Sequence, residues 1–145
     1  MLLFDGRAAR EMRRHGEEGY PREICGLLVG RLEEGTGIRR VREACPARNL
    51  CGAWAADRYE LDPADFLRIE EAARRRELEV VGVYHSHPDH PSRPSETDRL
   101  RAGEIWQSSE SWSYVILEVR EGRAGSWKSF ILRDGVFHEE QAGEE

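Results

Sequence analysis

Val80-Val81-Gly82-Val83-Tyr84-His85-Ser86-His87-Pro88-Asp89-His90-Pro91-Ser92-Arg93-Pro94-Ser95-Glu96-Thr97-Asp98 joins an apolar run to a loop braced by prolines. The first five residues are apolar at both parities, which predicts a strand buried on both faces, at the centre of a sheet. In a strand, residues two apart share a face with Cα atoms about 6.6 Å apart. His85 and His87 therefore project together, and two imidazoles so placed can reach one metal ion at roughly 2 Å each. Pro88 cannot continue a central strand, so the histidines are predicted at its end, where a site can open. Prolines 88, 91 and 94 hold the following loop by their fixed φ angles. Ser95 and Asp98 open a predicted helix running to about Trp106. Ser-x-x-Asp is also close to a capping box, which by itself is only a helix start.

Working outward, Asp62-Pro63-Ala64-Asp65 is a strong helix start, with an N-cap acid and proline in the first turn. Phe66, Ile69, Ala72 and Ala73 form its apolar stripe, and Arg74-Arg75-Arg76 suits the negative end of the helix dipole. That helix feeds directly into the histidine strand, so the fold class is α/β: a single domain with a mixed central sheet flanked by helices. Downstream, Tyr114 to Val119 is a strand, Glu121 to Gly125 a turn, and Trp127 to Leu132 a returning strand. The domain is expected over residues 1–138, with an acidic, frayed tail over 139–145. At the other end, Leu2 to Phe4 is a short strand, and Asp5 caps a helix over Arg7 to about Glu18 with Ala8, Met12 and His15 on one side. Ile24 to Gly30 is an apolar strand with Glu23 at its entrance. Glu23 alone reads as a solvated carboxylate before a strand; the sharper alternative is a base aimed at a distant site. Glu33 to Gly37 is a hairpin turn, and Ile38 to Ala44 returns as an arginine-rich strand near an edge. Cys45 to Asp57 is irregular. Within it, Trp54 reads as a partner contact or as a core plug.

The chain of 145 residues is long enough for one domain with a real core. Its net charge of -6 argues against nucleic acid as the main partner. No apolar run approaches membrane-spanning length, and no signal peptide is evident. Three cysteines, Cys25, Cys45 and Cys51, form no Cys-x-x-Cys pair, which fits a cytoplasmic location better than a disulfide framework. Cys25 lies in an apolar strand and reads as a small buried residue, with no cationic neighbour to lower its pKa. His-Glu-x-x-His, the paired motifs of zinc deaminases and the Gly-x-Ser-x-Gly elbow are all missing from the sequence.

His-Ser-His, seven residues, Ser, two residues, Asp, with an upstream Glu before an apolar strand, resembles the JAMM (MPN+) family of zinc metalloproteases. Pro21-x-Glu23-x-Cys25-Gly26-Leu27-Leu28-x-Gly30 resembles the first strand of its small prokaryotic members, and the likeness runs to about Arg133. The resemblance implies the MPN architecture, similar to that of cytidine deaminases. It also implies one Zn2+ per chain held by His85, His87 and Asp98, with a fourth position left for water. By the same analogy Glu23 is the general base and Ser95 the donor to the developing oxyanion. The implied activity is that of a peptidase or isopeptidase acting at the C-terminal Gly-Gly tail of a ubiquitin-like or sulfur-carrier protein. Two other readings remain open. A RadC-like, DNA-associated protein would show salt-dependent DNA binding, and a non-catalytic MPN scaffold would purify without zinc.

Overall fold

The strand carrying the histidines, β4 (Glu79–Pro88), lies between β2 (Cys25–Leu32), antiparallel to it, and β5 (Ser113–Arg120), parallel to it. From Val81 onward every residue of β4 is buried, as expected for a strand covered on both faces. Gly82 allows the close pairing with β5: a Cβ there would lie 2.3 Å from the carbonyl oxygen of Ser113. These relations come from a computed structural model, which describes residues 1–51, 59–95 and 111–145.

The remaining elements are β1 (Leu2–Phe4), α1 (Gly6–Gly19), β3 (Arg39–Ala47), α2 (Pro63–Arg75), β6 (Arg123–Arg133), β7 (Val136–Glu140) and β8 (Ala142–Glu144). They form a single-domain α/β fold whose eight-stranded mixed sheet has the order β7-β6-β5-β4-β2-β3-β1-β8. Side-chain alternation splits the core in two. Leu28, Val81, Val115 and Leu117 pack with Ala8, Ala9 and Met12 of α1. Leu27, Val29, Val83 and Ile116 pack with Ile69 and Ala73 of α2. Asp62 caps α2 by accepting a hydrogen bond from the backbone N–H of Ala64 at 2.9 Å. Asp5 occupies the N-cap position of α1 without a side-chain cap bond, and its carboxylate lies 4.0 Å from Arg42 instead.

β3 lies near an edge, as expected: only the short β1 and β8 stand beyond it, and β1 pairs in parallel with Arg39 to Val41. Two expectations are corrected. Cys45 to Ala47 is not irregular, because the antiparallel ladder with β2 runs on to Cys25↔Ala47. Nor is the acidic end frayed, because β8 pairs in parallel with β1 from Leu2↔Ala142 to Phe4↔Glu144. The cause is charge complementarity. Arg13 grips Glu144 with two hydrogen bonds of 2.8 and 2.7 Å, and Arg40 reaches Glu145 at 2.8 Å. β7 and β8 are separated in sequence by Gln141 alone yet stand at opposite ends of the strand order, so the sheet curls until its ends meet. Glu140 sits at this closure with its side chain only 6% exposed. It accepts a hydrogen bond from Ser129 Oγ at 2.7 Å and faces Arg39 at 3.7 Å.

Candidate metal centre

The antiparallel register of β2 and β4 pairs Cys25 with His85. Carried one residue further, it pairs Ile24 with Ser86, and the structure shows that exchange. Ser86 N–H donates to the Ile24 carbonyl at 3.0 Å, and Ile24 N–H donates to Ser86 Oγ at 2.9 Å. One more step sets Glu23 against His87. Alternation then puts Glu23, His85 and His87 on one side, and Ser86 on the other as a backbone fastener. Ligand atoms of the three residues all lie within 4.8 Å of one another, and all three residues are buried. The side chain of Asn49, which the sequence did not single out, holds the entrance to β2. Its Nδ2 donates to the Glu23 carbonyl at 2.9 Å, and its Oδ1 accepts from Cys51 N–H at 3.0 Å and Glu60 N–H at 2.9 Å. Asparagine is a common turn residue, and nothing in its local sequence points to Glu23.

The imidazoles are oriented by their neighbours. His87 Nδ1 lies 2.7 Å from the Pro91 carbonyl, which can only accept, so Nδ1 carries the proton and Nε2 presents a lone pair. His85 stacks on Tyr59, with ring centroids 4.5 Å apart and planes at 25°. The two Nε2 atoms are 3.1 Å apart. Two nitrogens bound tetrahedrally to one zinc at the usual distance stand about 3.3 Å apart, so the pair fits a shared metal ion with little adjustment. The carboxylate of Glu23 adds the hard oxygen donor or base that such a site uses.

Beside this trio opens a cleft of about 450 Å³, lined by Glu23, His87 and the loop residues His90, Pro91, Arg93, Pro94 and Ser95. The structure thus brings Ser95 to the same cleft as Glu23 and His87. Asp98, Trp54 and the helix expected after Ser95 lie outside the described residues. A larger groove of about 800 Å³ runs along β3 between α1 and α2, but paired charges such as Arg7–Glu11 and Arg76–Glu43 line it, and it holds no convergent imidazoles. Cys25 and Cys45 offer no nucleophile. Burial pushes the thiol of Cys25 up to about 12, and burial with the adjacent Glu43 carboxylate raises that of Cys45 to about 11. Among the described residues, no helix is long and apolar enough to cross a membrane.

Residues 6–130 match the family model described as prokaryotic homologs of the JAB domain. The chain is 40% identical over 92 residues to the desampylase of Haloferax volcanii, a match covering 61% of this chain and 63% of that protein. It is 29% identical over 144 residues to the CysO-cysteine peptidase of Mycobacterium tuberculosis, covering 97% of this chain and 88% of that protein. Among solved structures, that of a Desulfitobacterium hafniense protein superimposes with a TM-score of 0.84 at 28% identity, over 100% of this chain and 93% of the other.

Proposed function

Since the chain belongs to the family of prokaryotic homologs of the JAB domain, we propose that it is a zinc-dependent peptidase or isopeptidase. Its proposed substrate is the amide bond at the C-terminal Gly-Gly tail of a ubiquitin-like or sulfur-carrier protein. The observation that carries this reading is the convergence of Glu23, His85 and His87 within 4.8 Å beside an open cleft. The similarity to a desampylase and a CysO-cysteine peptidase supports the substrate class. Family membership also supports the finer architecture, a mixed sheet flanked by helices as in cytidine deaminases, and a cytoplasmic location suits the free cysteines.

His85, His87 and Asp98 are the proposed ligands, one zinc ion per chain. Bound there, zinc would act as a Lewis acid and lower the pKa of a water molecule to about 7. The protein's own groups do the rest. The Pro91 carbonyl keeps His87 in the tautomer whose Nε2 presents a lone pair. Tyr59 holds the plane of His85. The Glu23 carboxylate takes a proton from the attacking water and delivers it to the leaving amine, so one group serves as base and then acid. Ser95 Oγ donates a hydrogen bond to the scissile carbonyl oxygen as negative charge develops there. A Gly-Gly tail has no side chains, so it can enter a narrow cleft fully extended.

The test is incubation with carrier proteins extended beyond Gly-Gly, read by mass spectrometry with and without a chelator, on protein whose metal content is measured. About one zinc per chain and chelator-sensitive release of the extension are expected. A zinc-free protein, or cleavage that a chelator leaves intact, overturns the reading.

A further inference from the structure

The loop after the histidines carries a cation that the hydrolytic chemistry leaves unused. Arg93 lines the same cleft as Glu23, His87 and Ser95, and among the described residues it is the only arginine or lysine to do so. Among the described residues its guanidinium makes no ion pair, although the chain is rich in carboxylates and twelve of its other arginines, Arg13, Arg40 and Arg76 among them, lie within 4.0 Å of one. Its backbone is held in place. Pro91 and Pro94 flank it, and its N–H donates to the Pro91 carbonyl at 2.8 Å. That same carbonyl fixes His87, so the position of Arg93 is tied to the site. A planar, permanently charged fork on a stiff loop is suited to a carboxylate.

We infer that Arg93 binds the free α-carboxylate of the leaving residue. The substrate is then a carrier protein whose terminal glycine bears a single amino acid, joined through its α-amine. This rests on the hydrolase reading above and narrows it. The α-carboxylate carbon of such a residue stands two bonds, about 2.5 Å, from the scissile nitrogen. An arginine in the cleft that holds the base is therefore within reach of it. In a lysine isopeptide the scissile nitrogen instead ends a four-methylene stem, and no carboxylate is near. The step balances with water alone. The water oxygen bonds to the glycine carbonyl carbon, the C–N bond breaks, and one water proton goes to the α-amine. The carrier's terminal carboxylate and the free amino acid are the products.

The experiment compares three carriers with the zinc-loaded protein: Gly-Gly-Ala with a free carboxylate, the same with a C-terminal amide, and Gly-Gly linked to lysine Nζ. The free acid should be preferred over the amide by about 10- to 100-fold in kcat/KM, mainly through KM, as expected for a charged bidentate contact. Arg93→Gln should bring that ratio close to one, and Arg93→Lys should restore part of it. Calorimetry supplies a readout independent of turnover: the zinc-loaded Glu23→Gln variant should bind the acid more tightly than the amide by a similar factor, and the Glu23→Gln, Arg93→Gln pair should not. Equal handling of acid and amide, or a faster reaction at lysine, overturns the inference while leaving the hydrolase intact. Failure to cleave any of the three, with acid-selective binding retained, overturns the hydrolase and leaves the Arg93 site standing.

Discussion

Glu23 lies close enough to both imidazoles to be either a ligand or a base, and one substitution separates the two. Glu23→Gln keeps the size and hydrogen bonding of the side chain but cannot accept a proton. If Glu23 is the base, the variant should fold, retain zinc and bind substrate, and turn over at least about 10²-fold more slowly. Zinc lost along with activity, measured by elemental analysis, would make Glu23 a ligand. Ser95 poses a similar question, because its sequence context is also that of a helix cap. A capping hydroxyl costs about 1 kcal/mol when removed and leaves chemistry alone. A donor to the oxyanion costs about 10²-fold in kcat with KM little changed. The place of Ser95 on the cleft favours the second result for Ser95→Ala, and wild-type turnover with a lowered Tm would return it to the cap. The histidines were legible in the sequence because strand alternation acts over a few residues, whereas Glu23 was singled out by the family resemblance, since the register that sets it against His87 joins strands remote in the chain. Asn49, Tyr59 and the Pro91 carbonyl were not, because each is defined by what it meets in space rather than by its neighbours in the chain.

The elements most readily read were those whose pattern is local. β4 is apolar at both parities and is buried from Val81 to its end, and α2 carries a cap, a first-turn proline and a single apolar stripe. α1 was legible as a helix, but one of its contacts was not. His15 reaches across to Tyr84, with Nδ1 2.8 Å from the phenol oxygen and the rings edge-on at 5.8 Å. Burial lowers the pKa of His15, and Glu18 opposes that only in part. The sign follows from linkage. The unfolded chain binds the proton more readily, near pH 6.5, so the stability due to neutral His15 is fully present above that pH. It falls away as the pH drops toward and through the lowered folded value. His15→Asn keeps a polar atom near the Nδ1 position and cannot titrate. Its Tm should therefore decline less than that of the wild type between about pH 7 and 5. Parallel declines in the two proteins, measured by thermal melts, would remove His15 from the acid sensitivity of the fold.

At the scale of the whole molecule, the closing of the sheet is what the sequence least disclosed. β1 and β8 are three residues each, too short to carry a periodic signal, and an acidic terminus read alone looks solvated and loose. Its partners are remote: Arg13 and Glu144 are 131 residues apart in the chain. The carboxylates of Glu144 and Glu145 settle because arginines of α1 and β3 already point to the place where β8 lies, and the indole N–H of Trp127 adds a hydrogen bond to Glu144 at 3.3 Å. Hydrogen bonding to Arg13, helped by Trp127, holds the Glu144 carboxyl below its usual pKa. Its contribution is therefore present above about pH 4.3 and is lost as the pH falls through the lowered folded value. Removing residues 142–145 would delete the ladder on β1, leave Arg13 and Arg40 without these partners, and expose the edge of β1. Half-exposed ion pairs contribute little singly, so the ladder and the network together should be worth about 1–3 kcal/mol. For a domain of this size that is a Tm lower by roughly 3–10 °C. The metal trio lies at the junction of β2 and β4, in the middle of the strand order rather than at its ends. The truncated protein should therefore bind zinc as the full chain does when assayed well below its melting point. An unchanged Tm would show that β8 adds nothing to the closure, and lost zinc affinity at low temperature would show that the closure reaches the metal centre.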